Sequence, residues 1–515
     1  MENSRTKNSA FNIASNVSIR LLTLVLSFVS RTVFIYTLGA EYLGLNGLFT
    51  NVLAFLSLSE LGLGTAISFL LYKPLATEDK ERIKSVMAFY KKSYLVVGCV
   101  ILSLGIVLMP FLKYLVNLEQ PIPENLYQVF FLFVLQSSVS YFFVAYKQTL
   151  IEANQQKYKL TKYEIVFSLL NCIVDIVVLL IFRDYIAYLL AKLVLIIVKN
   201  LLFAYKIDSL YPYLKEPVTA QLSKQEVSHI FKDVFSVAIF RLGSVLFNSV
   251  TNIVTSVVVG TIVVGYYSNY TMIVSQFEFF FIMIISAISA SIGNVVAVED
   301  EEKQYVIYQK LDLITFLIYG ISSICLFQLL NSFVNLWLGN VGKEYILSQF
   351  VVGLIVINSY INCSCQLLER FRTAAGFFKT GRDLQIIGGL ANVCLSIVLA
   401  KYWGLEGVLM SPFLCKMFIT AIPFVLRVGR AVFHQSYFSM MFDYFSKLFV
   451  VCFICAINWF LCNSLHSGHW LAFIMESMIT LVVAIIVLFL FYHRTASFIE
   501  IKTMVQSKLG LNLLK

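Results

Sequence analysis

Charged residues are scarce in this sequence. Only 13% of the 515 residues are Asp, Glu, Lys or Arg, whereas 59% are hydrophobic and the mean hydropathy is +0.82. A water-soluble protein of this length could not bury that much apolar surface, but a chain that crosses the membrane many times can leave it facing lipid. The composition therefore excludes a soluble globular protein and predicts a polytopic membrane protein.

Motifs for several kinds of chemistry are also missing. The sequence has no G-x-x-x-x-G-K-[ST] phosphate loop and no G-x-S-x-G nucleophile motif, and its five histidines lie in loops or at the ends of apolar segments. All ten cysteines fall inside apolar segments, whereas a disulfide framework would place them in outer loops. We therefore predict no catalytic residue, no metal site and no cofactor. The polar start leads straight into a long apolar segment that carries arginines, so we expect no cleaved signal peptide.

Apolar segments long enough to cross about 30 Å of hydrocarbon dominate the chain. There are fourteen, at approximately 11–38, 43–72, 93–112, 126–146, 164–182, 185–205, 233–260, 266–296, 311–334, 346–369, 384–400, 407–426, 448–463 and 470–492. The second, eighth and tenth are long enough to be tilted or broken, the second at Gly62 and Gly64. We predict an all-α polytopic membrane protein of about fourteen transmembrane helices. The outer loops are short, so binding must occur within the bilayer.

Basic residues predict the orientation of these segments. With the N-terminus in the cytoplasm, the inside segments hold 29 Lys and Arg residues and the outside loops hold 4, while 6 lie within the spans. Positive charge favours the cytoplasmic side, so we predict that both termini are cytoplasmic. The net charge of +10 is then mainly an orientation signal. We predict contact with the lipid bilayer and no nucleic-acid partner.

One stretch of the chain occurs twice. Residues 15–79 align without a gap on residues 236–300, 221 positions later, and 14 of the 65 pairs are identical. The seventh span starts on the same side as the first, so the repeat is parallel. We predict two pseudo-symmetric six-helix halves followed by two extra helices. The predicted domains are an N-terminal half at 1–206, a cytoplasmic linker at 207–232, a C-terminal half at 233–427, and the extra helices with a cytoplasmic tail at 428–515.

Polar residues form a stripe along the first span. Their spacings of 4, 4, 3, 4 and 4 place them on one helical face: Asn12, Asn16, Arg20, Thr23, Ser27 and Arg31. The second copy of the repeat has Arg241, Ser244, Asn248 and Asn252 at the equivalents of the last four positions. Two such stripes would line a water-filled, anion-attracting cavity between the halves.

Cations within spans are the first candidates for substrate binding, because each costs about 2.5–3.5 kcal/mol near a helix centre. There are six: Arg20, Arg31, Lys192, Lys199, Arg241 and Lys416. Neutral candidates are Asn248 in the second stripe and one face of span 10, which carries Asn358, Asn362, Gln366 and Glu369. Snorkelling to the membrane surface is an alternative for Lys199. Interhelical hydrogen bonds are the alternative for the amides of span 10.

Acids within spans have two interpretations. Those recognised in the sequence are Glu60, Asp175, Glu278 and Glu476. They can pair with the cations, which lowers the cost of both charges, or one of them can bind H⁺ or Na⁺ to couple transport. We favour pairing for Glu60 and Asp175, leave Glu278 open, and keep all three as ion-coupling candidates. Glu476, in the extra helices, is predicted to be structural.

Two motifs resemble a known family. Arg31 is followed by Leu38-Gly39-x-Glu41-Tyr42-x-Gly44-Leu45 and then by the run Ser59-Glu60-Leu61-Gly62-Leu63-Gly64-Thr65-Ala66. This pattern resembles the polysaccharide-biosynthesis flippases, which export O-antigen and capsule repeat units within the multidrug/oligosaccharidyl-lipid/polysaccharide exporter superfamily. Members commonly have Asp where Glu60 stands, a conservative departure. The similarity covers the whole chain in the number of spans and the half-repeat.

The resemblance implies a non-enzymatic flippase that moves an undecaprenyl-diphosphate-linked oligosaccharide from the inner to the outer leaflet by alternating access. It implies the bacterial plasma membrane, with polysaccharide polymerase and assembly proteins as partners; we favour a monomer. A lipid II flippase and a cation-coupled multidrug exporter of the same superfamily remain alternatives. A membrane-embedded polymerase or glycosyltransferase is a different class, disfavoured because no large catalytic loop is present.

Overall fold

A computed structural model describes residues 2–60, 63–119, 121–218, 222–377, 379–462 and 469–508. Several side chains within these ranges lie outside the description, among them the predicted stripe residues Asn12, Asn16, Arg241 and Ser244. The described residues form helices and no strand, as the sequence predicts.

The first half of the repeat contains nine helices among the described residues. They are α1 (Glu2–Thr37), α2 (Ala40–Leu56), α3 (Leu63–Ala76), α4 (Lys80–Leu108), α5 (Leu112–Leu115), α6 (Leu126–Phe143), α7 (Ala145–Ala153), α8 (Thr161–Ile181) and α9 (Tyr185–Leu210). A 3₁₀ turn at Ser57–Glu60 follows α2, so the long second span is broken, as its glycines predict.

The second half of the repeat is followed by two extra apolar helices. Its helices are α10 (Lys224–Val254), α11 (Thr261–Val298), α12 (Glu301–Leu338), α13 (Gln349–Ser364), α14 (Gln366–Ala374), α15 (Arg382–Leu414) and α16 (Ile422–Phe433). The chain ends with α17 (Tyr437–Cys462), α18 (Trp470–Tyr492) and α19 (Ala496–Lys508). Two π-helical turns, Thr255–Val259 and Cys415–Ala421, follow α10 and α15.

Each of the fourteen predicted spans falls on a helical part of the described chain. Eleven helical stretches among the described residues are long and apolar enough to cross a membrane, and two shorter ones, Ala66–Ala76 and Val245–Val259, correspond to the second and seventh predicted spans. The stretch Arg382–Phe433 contains two predicted spans, separated at Gly404, whose φ of 55° is not helical. The prediction of an all-α polytopic membrane protein is confirmed.

The half-repeat extends well beyond the stretch with visible sequence identity. The helix α7 at 145–153 recurs as α14 at 366–374, and α4 and α12 begin 221 positions apart. Positive φ angles recur at the same offset, in three pairs: Gly39 and Gly260, Gln155 and Gly376, and Arg183 and Gly404. The two halves therefore share one backbone plan without insertions.

Two glycines explain part of the sequence identity between the two copies of the repeat. A Cβ atom on Gly44 would lie 1.9 Å from the carbonyl oxygen of Thr261, and one on Gly265 would lie 2.2 Å from that of Ala40. Gly44 and Gly265 are themselves repeat equivalents. Only glycine lets the start of α2 and the start of α11 approach this closely.

By packing, the chain forms two compact units, Met1–Gly265 and Tyr266–Lys515. The first contains a core of α3, α4, α6 and α7 side chains, including Tyr90 and Tyr94. The second has a core centred on α12, α13 and α16, including Phe316 and Tyr360. The predicted domain boundaries, which follow the repeat and the linker, remain a prediction.

The extra helices dock on α12 through buried polar contacts. Lys447 of α17 bonds to Asp312 of α12, and Gln328 of α12 donates to Glu476 of α18 at 2.9 Å. Asp312 and Glu476 are 5% and 1% exposed. Each contact joins polar groups that are buried among apolar side chains, so these bonds fix the register of α17 and α18 on α12.

Candidate functional site

The first unit brings three predicted residues together where α1, α8 and α9 pack. Lys192 Nζ lies 3.7 Å from Asp175 Oδ2 and 4.5 Å from the ring centre of Tyr188. The charge of Arg31 on α1 acts on the same tyrosine. We name Arg31, Asp175, Tyr188 and Lys192 the α1–α8–α9 cluster.

The α1–α8–α9 cluster contains two cations and one carboxylate, so its formal charge is +1. Asp175 is buried against Lys192, and this contact offsets one of the positive charges. The excess charge can attract an anion, and a guanidinium such as that of Arg31 has the geometry to bind phosphate in a bidentate manner. The pairing of Asp175 with Lys192 follows the interpretation favoured from the sequence.

Other predicted residues of the first unit lie outside this cluster. Arg20 and Lys199 are half-buried on α1 and α9, and the ammonium of Lys199 stands 5.3 Å from the ring centre of Phe203. Asn248 is exposed on α10. The backbone of Arg241 is helical in α10, but its side chain lies outside the described residues.

Glu60 lies in a network of hydroxyl groups. Tyr94 donates to Glu60 Oε1 at 3.1 Å, and Tyr141 donates to Oε2. Tyr90 donates to Tyr94 at 2.8 Å, and its oxygen is also 2.9 Å from Thr149 Oγ1. We name these five residues the Glu60 network. Because both carboxylate oxygens accept hydrogen bonds from hydroxyls, the site can hold a carboxylate without a cation.

The second unit places its predicted acid beside two predicted polar residues. Asn362 Nδ2 lies 3.4 Å from Glu278 Oε1, and Lys416 is close enough for its charge to attract that of Glu278. Lys416 belongs to the π-helical turn Cys415–Ala421, and such turns are frequent at functional sites. We name Glu278, Asn362 and Lys416 the Glu278 site.

The remaining span 10 residues make mostly backbone and local contacts. Asn358 Nδ2 donates to the carbonyls of Leu354 and Leu409 at 2.8 and 3.1 Å. Gln366 begins α14, after the break at Cys365, and donates weakly to the carbonyl of Asn362 at 3.4 Å. The predicted continuous face is therefore interrupted between Asn362 and Gln366. The contact of Asn358 is of the interhelical kind considered in the sequence analysis.

Two sets of polar contacts were missed in the sequence. Lys447 bonds to Asp312 and, at 2.6 Å, to Asp443, and Asp312 is a further intramembrane acid beyond the four recognised in the sequence. The spacing of four between Asp443 and Lys447 was a usable signal. For the tyrosines of the Glu60 network, the sequence offered no signal beyond the i, i+4 spacing of Tyr90 and Tyr94.

Outside the membrane-spanning segments, charged groups at the start of α4 form ion pairs with the linker. Arg82 pairs with Glu226, and Lys84 Nζ lies 3.1 Å from Glu216 Oε2. The hydrogen bond from Arg82, together with those at Ser223, lowers the pKa of Glu226 from 4.5 to about 2. Ser223 and Glu226 also form a capping box that begins α10. We name these ion pairs the linker contact.

This fold is that of helical membrane transporters. No family model and no curated protein matches the sequence, but solved structures do. The chain is similar to "Lipid II flippase MurJ, inward closed conformation", with a TM-score of 0.67, 13% identity, and coverage of 94% of this chain and 99% of that one.

Multidrug transporters share the fold as well. An inward-facing MATE family transporter of the MOP superfamily has a TM-score of 0.64, 15% identity, and coverage of 83% of this chain and 99% of that one. A mutant of the Vibrio cholerae MATE transporter VcmN has a TM-score of 0.52 and 14% identity, with coverage of 84% and 100%. At these identities the similarity establishes the fold.

Proposed function

We propose that this chain is a flippase of the multidrug/oligosaccharidyl-lipid/polysaccharide superfamily, and that it moves an undecaprenyl-diphosphate-linked oligosaccharide across the bacterial plasma membrane. The observation that carries the proposal is the net positive α1–α8–α9 cluster inside membrane-spanning helices. The fold shared with a lipid II flippase and with multidrug transporters supports the transport class.

The substrate class follows from charge and polarity. A diphosphate bearing sugars is strongly hydrated, so it cannot cross hydrocarbon unless a protein replaces the lost water contacts. Cations supply charge-assisted hydrogen bonds to phosphate oxygens, which are about twice as strong as neutral ones. A drug exporter of cationic compounds would need the opposite balance, with acids in excess of cations.

We assign roles to the residues on the same basis. Arg20, Arg31, Arg241 and Lys416 would bind the diphosphate or acidic sugars, with Lys192 and Lys199 adding positive charge nearby. Asn248, Asn358, Asn362 and Gln366 would meet the glycan, although Asn358 already bonds to two backbone carbonyls. Glu60, Asp175 and Glu278 are the coupling candidates; among them Asp175 has a cation at 3.7 Å.

The transport cycle would alternate access to the two sides, without a cofactor, driven by an H⁺ or Na⁺ gradient and by consumption of the product outside. Polysaccharide polymerase and assembly proteins are the proposed partners of a monomeric flippase. Both termini would lie in the cytoplasm, as the excess of inside Lys and Arg indicates.

Lipid II is the second candidate substrate, and one observation favours it. The match to the lipid II flippase covers 94% of this chain, against 83% for the inward-facing multidrug transporter. Lipid II also carries a diphosphate, so the cationic residues suit both substrates. The first candidate is preferred because the motifs around Arg31 and Glu60 resemble the polysaccharide flippases.

A deletion strain separates these candidates. We expect undecaprenyl-linked repeat units to accumulate on the inner leaflet while surface polymer is lost, and complementation with Arg31→Ala to fail at normal membrane levels. Arrested growth with accumulating lipid II would identify lipid II as the substrate. Normal polymer with sensitivity to cationic dyes would identify a multidrug exporter instead.

A further inference from the structure

Hydroxyl groups connect Glu60 to a charged end of the first unit. From Thr149 Oγ1 the steps run 2.9 Å to the Tyr90 hydroxyl, 2.8 Å to the Tyr94 hydroxyl and 3.1 Å to Glu60 Oε1. Each step is within hydrogen-bonding distance. The bonds of Tyr90 and Tyr94 both point toward Glu60, and Thr149 can donate in the same direction.

This chain of hydroxyls is shielded along its length. Tyr90, Tyr94 and Thr149 are 0%, 3% and 8% exposed. Gly64 keeps the space around the tyrosine hydroxyls, since a Cβ there would lie 3.3 Å from the Tyr90 oxygen. These hydroxyls are therefore shielded from solvent, and they span the distance between the carboxylate and α7.

The far end lies near ionised groups at the surface. Thr149 lies on α7 three residues before Glu152, an exposed carboxylate whose charge acts on Tyr90. Glu152 pairs with Lys157 at 2.6 Å, and Lys147 of the same helix pairs with Asp208 at 2.6 Å. The distribution of basic residues predicts that this end of the unit is cytoplasmic.

The second half of the repeat has the same backbone but lacks this chain. The residues 221 positions later are Phe281 for Glu60, Leu311 for Tyr90, Thr315 for Tyr94 and Arg370 for Thr149. Because the second half folds with these residues, the fold does not require a carboxylate connected to hydroxyls at this place. This argues that the Glu60 network has a role other than packing.

We propose that Thr149, Tyr90 and Tyr94 form a proton wire through which Glu60 exchanges protons with the cytoplasm. On protonation Tyr94 gives its hydroxyl proton to Glu60 and takes that of Tyr90, Tyr90 takes that of Thr149, and Thr149 takes one from a hydronium ion of the aqueous phase, which leaves as water. Release runs through the same bonds in reverse, and no charge stays on a hydroxyl.

The wire favours H⁺ over Na⁺ at Glu60, because both carboxylate oxygens already accept hydrogen bonds from tyrosines. The groups facing Glu60 are Tyr94 of α4 and Tyr141 of α6. Among the described side chains of α2 and α3, no charged group faces Glu60. The side chain of Arg241, on α10, is not among those that the structure describes. The role of the wire in coupling rests on the proposed transport function. Its role as a path for protons does not depend on that function.

Infrared difference spectroscopy of the full chain in lipid nanodiscs tests the wire without any substrate. After a pH jump we expect a protonated-carboxyl band that Glu60→Gln removes and Glu60→Asp shifts. Tyr90→Phe and Thr149→Val should slow its appearance at least about tenfold. Neither residue touches Glu60, so the pH midpoint of the band should stay unchanged.

Tyr141→Phe is the matched control, because it makes the same Tyr-to-Phe change at a tyrosine that bonds to Glu60 but lies outside the wire. It should move the pH midpoint of the band, because Glu60 Oε2 loses a donor, but at that new midpoint the band should appear at close to the parent rate. The proposal is overturned if no Glu60 band titrates, if Tyr90→Phe exchanges at the parent rate, or if Tyr141→Phe is slowed as much as Tyr90→Phe. A protein that moves no lipid-linked sugar yet shows the wire would refute only the transport function.

Discussion

The two halves use a shared backbone to hold a carboxylate in different chemical surroundings. In the first, Glu60 is bonded to tyrosine hydroxyls, including that of Tyr141 on α6. In the second, Glu278 contacts Asn362 on α13, which stands 221 positions after Tyr141, and has Lys416 nearby. A helix at the same place in each half thus presents a hydroxyl to one acid and an amide to the other.

The difference shows how the two copies of a duplicated fold can take different chemical roles. A carboxylate held by neutral donors can gain or lose a proton without breaking an ion pair. A carboxylate beside a lysine holds a cation that an anionic substrate can compete for. Under the proposed transport function, we expect the Glu60 network to carry the proton, and the Glu278 site and the α1–α8–α9 cluster to bind the charge of the substrate.

The largest effect is expected in the second unit, at the buried pair that joins α12 and α17. Lys447→Met leaves Asp312 buried without its cation and should lower the free energy of unfolding by about 3–5 kcal/mol. Thermal unfolding in detergent measures this. The double variant Asp312→Asn with Lys447→Met should recover much of the loss, and a single variant as stable as the parent would contradict the account.

The Glu278 site should respond to charge changes in opposite directions. Lys416→Met removes a charge-assisted contact of about 1.5–3 kcal/mol and should weaken binding of a short-chain polyprenyl diphosphate tenfold or more. Glu278→Gln should strengthen it, because the carboxylate no longer competes for Lys416. Calorimetric titration measures both.

Glu60→Gln is the control for that comparison. It should leave the affinity for the same diphosphate close to that of the parent, since no cation pairs with Glu60 among the contacts described. Weaker binding in Glu278→Gln, or an equal response to both acid substitutions, would remove the proposed distinction between the two carboxylates.

The repeat glycines should tolerate no side chain. Gly44→Ala forces the backbone of α2 away from Thr261 and should cost about 1–3 kcal/mol of stability. Gly293→Ala, on α11 with nothing within 4 Å of its Cβ, is the control and should stabilise by about 0.5–1 kcal/mol. Equal melting temperatures for the two variants would show that the close approach is absent.

The smallest effect concerns the linker contact. The pKa of Glu226 is lowered from 4.5 to about 2, so its pairing with Arg82 stabilises the fold above about pH 4.5 and loses that effect as the pH falls toward about 2. Glu226→Gln should therefore melt slightly below the parent at neutral pH, and the gap should close below pH 4.5. A gap that widens in acid would contradict this sign.

Much of the fold could be predicted because it follows from hydrophobic length and repetition. The fourteen predicted spans needed only runs of apolar residues, and the repeat at an offset of 221 aligned residues 15–79 with 236–300. The recurrence of α7 as α14 lies beyond that stretch and became visible only in the structure. The break of the second span at Ser57–Glu60 agreed with its glycines. Charge partners were harder, because Asp312 and Lys447 lie 135 residues apart on separate helices.

The candidate site was only partly predictable for a similar reason. Intramembrane cations and acids stand out in an apolar sequence, so Arg31, Asp175 and Lys192 were identified before their contacts were known. The hydroxyls around Glu60 do not stand out in the sequence, because the chain has 28 tyrosines and membrane proteins carry many tyrosines at their interfaces. Their significance depends on distances between helices, which no local pattern encodes.

The most direct test of the proposed function is reconstitution. Proteoliposomes would carry a labelled undecaprenyl-diphosphate oligosaccharide, and a membrane-impermeant lectin would report the fraction that reaches the opposite leaflet under a pH gradient. The account predicts movement with the parent protein, loss of movement with Arg31→Ala, and loss of its dependence on the pH gradient with Glu60→Gln. Movement no faster than in protein-free liposomes would contradict it.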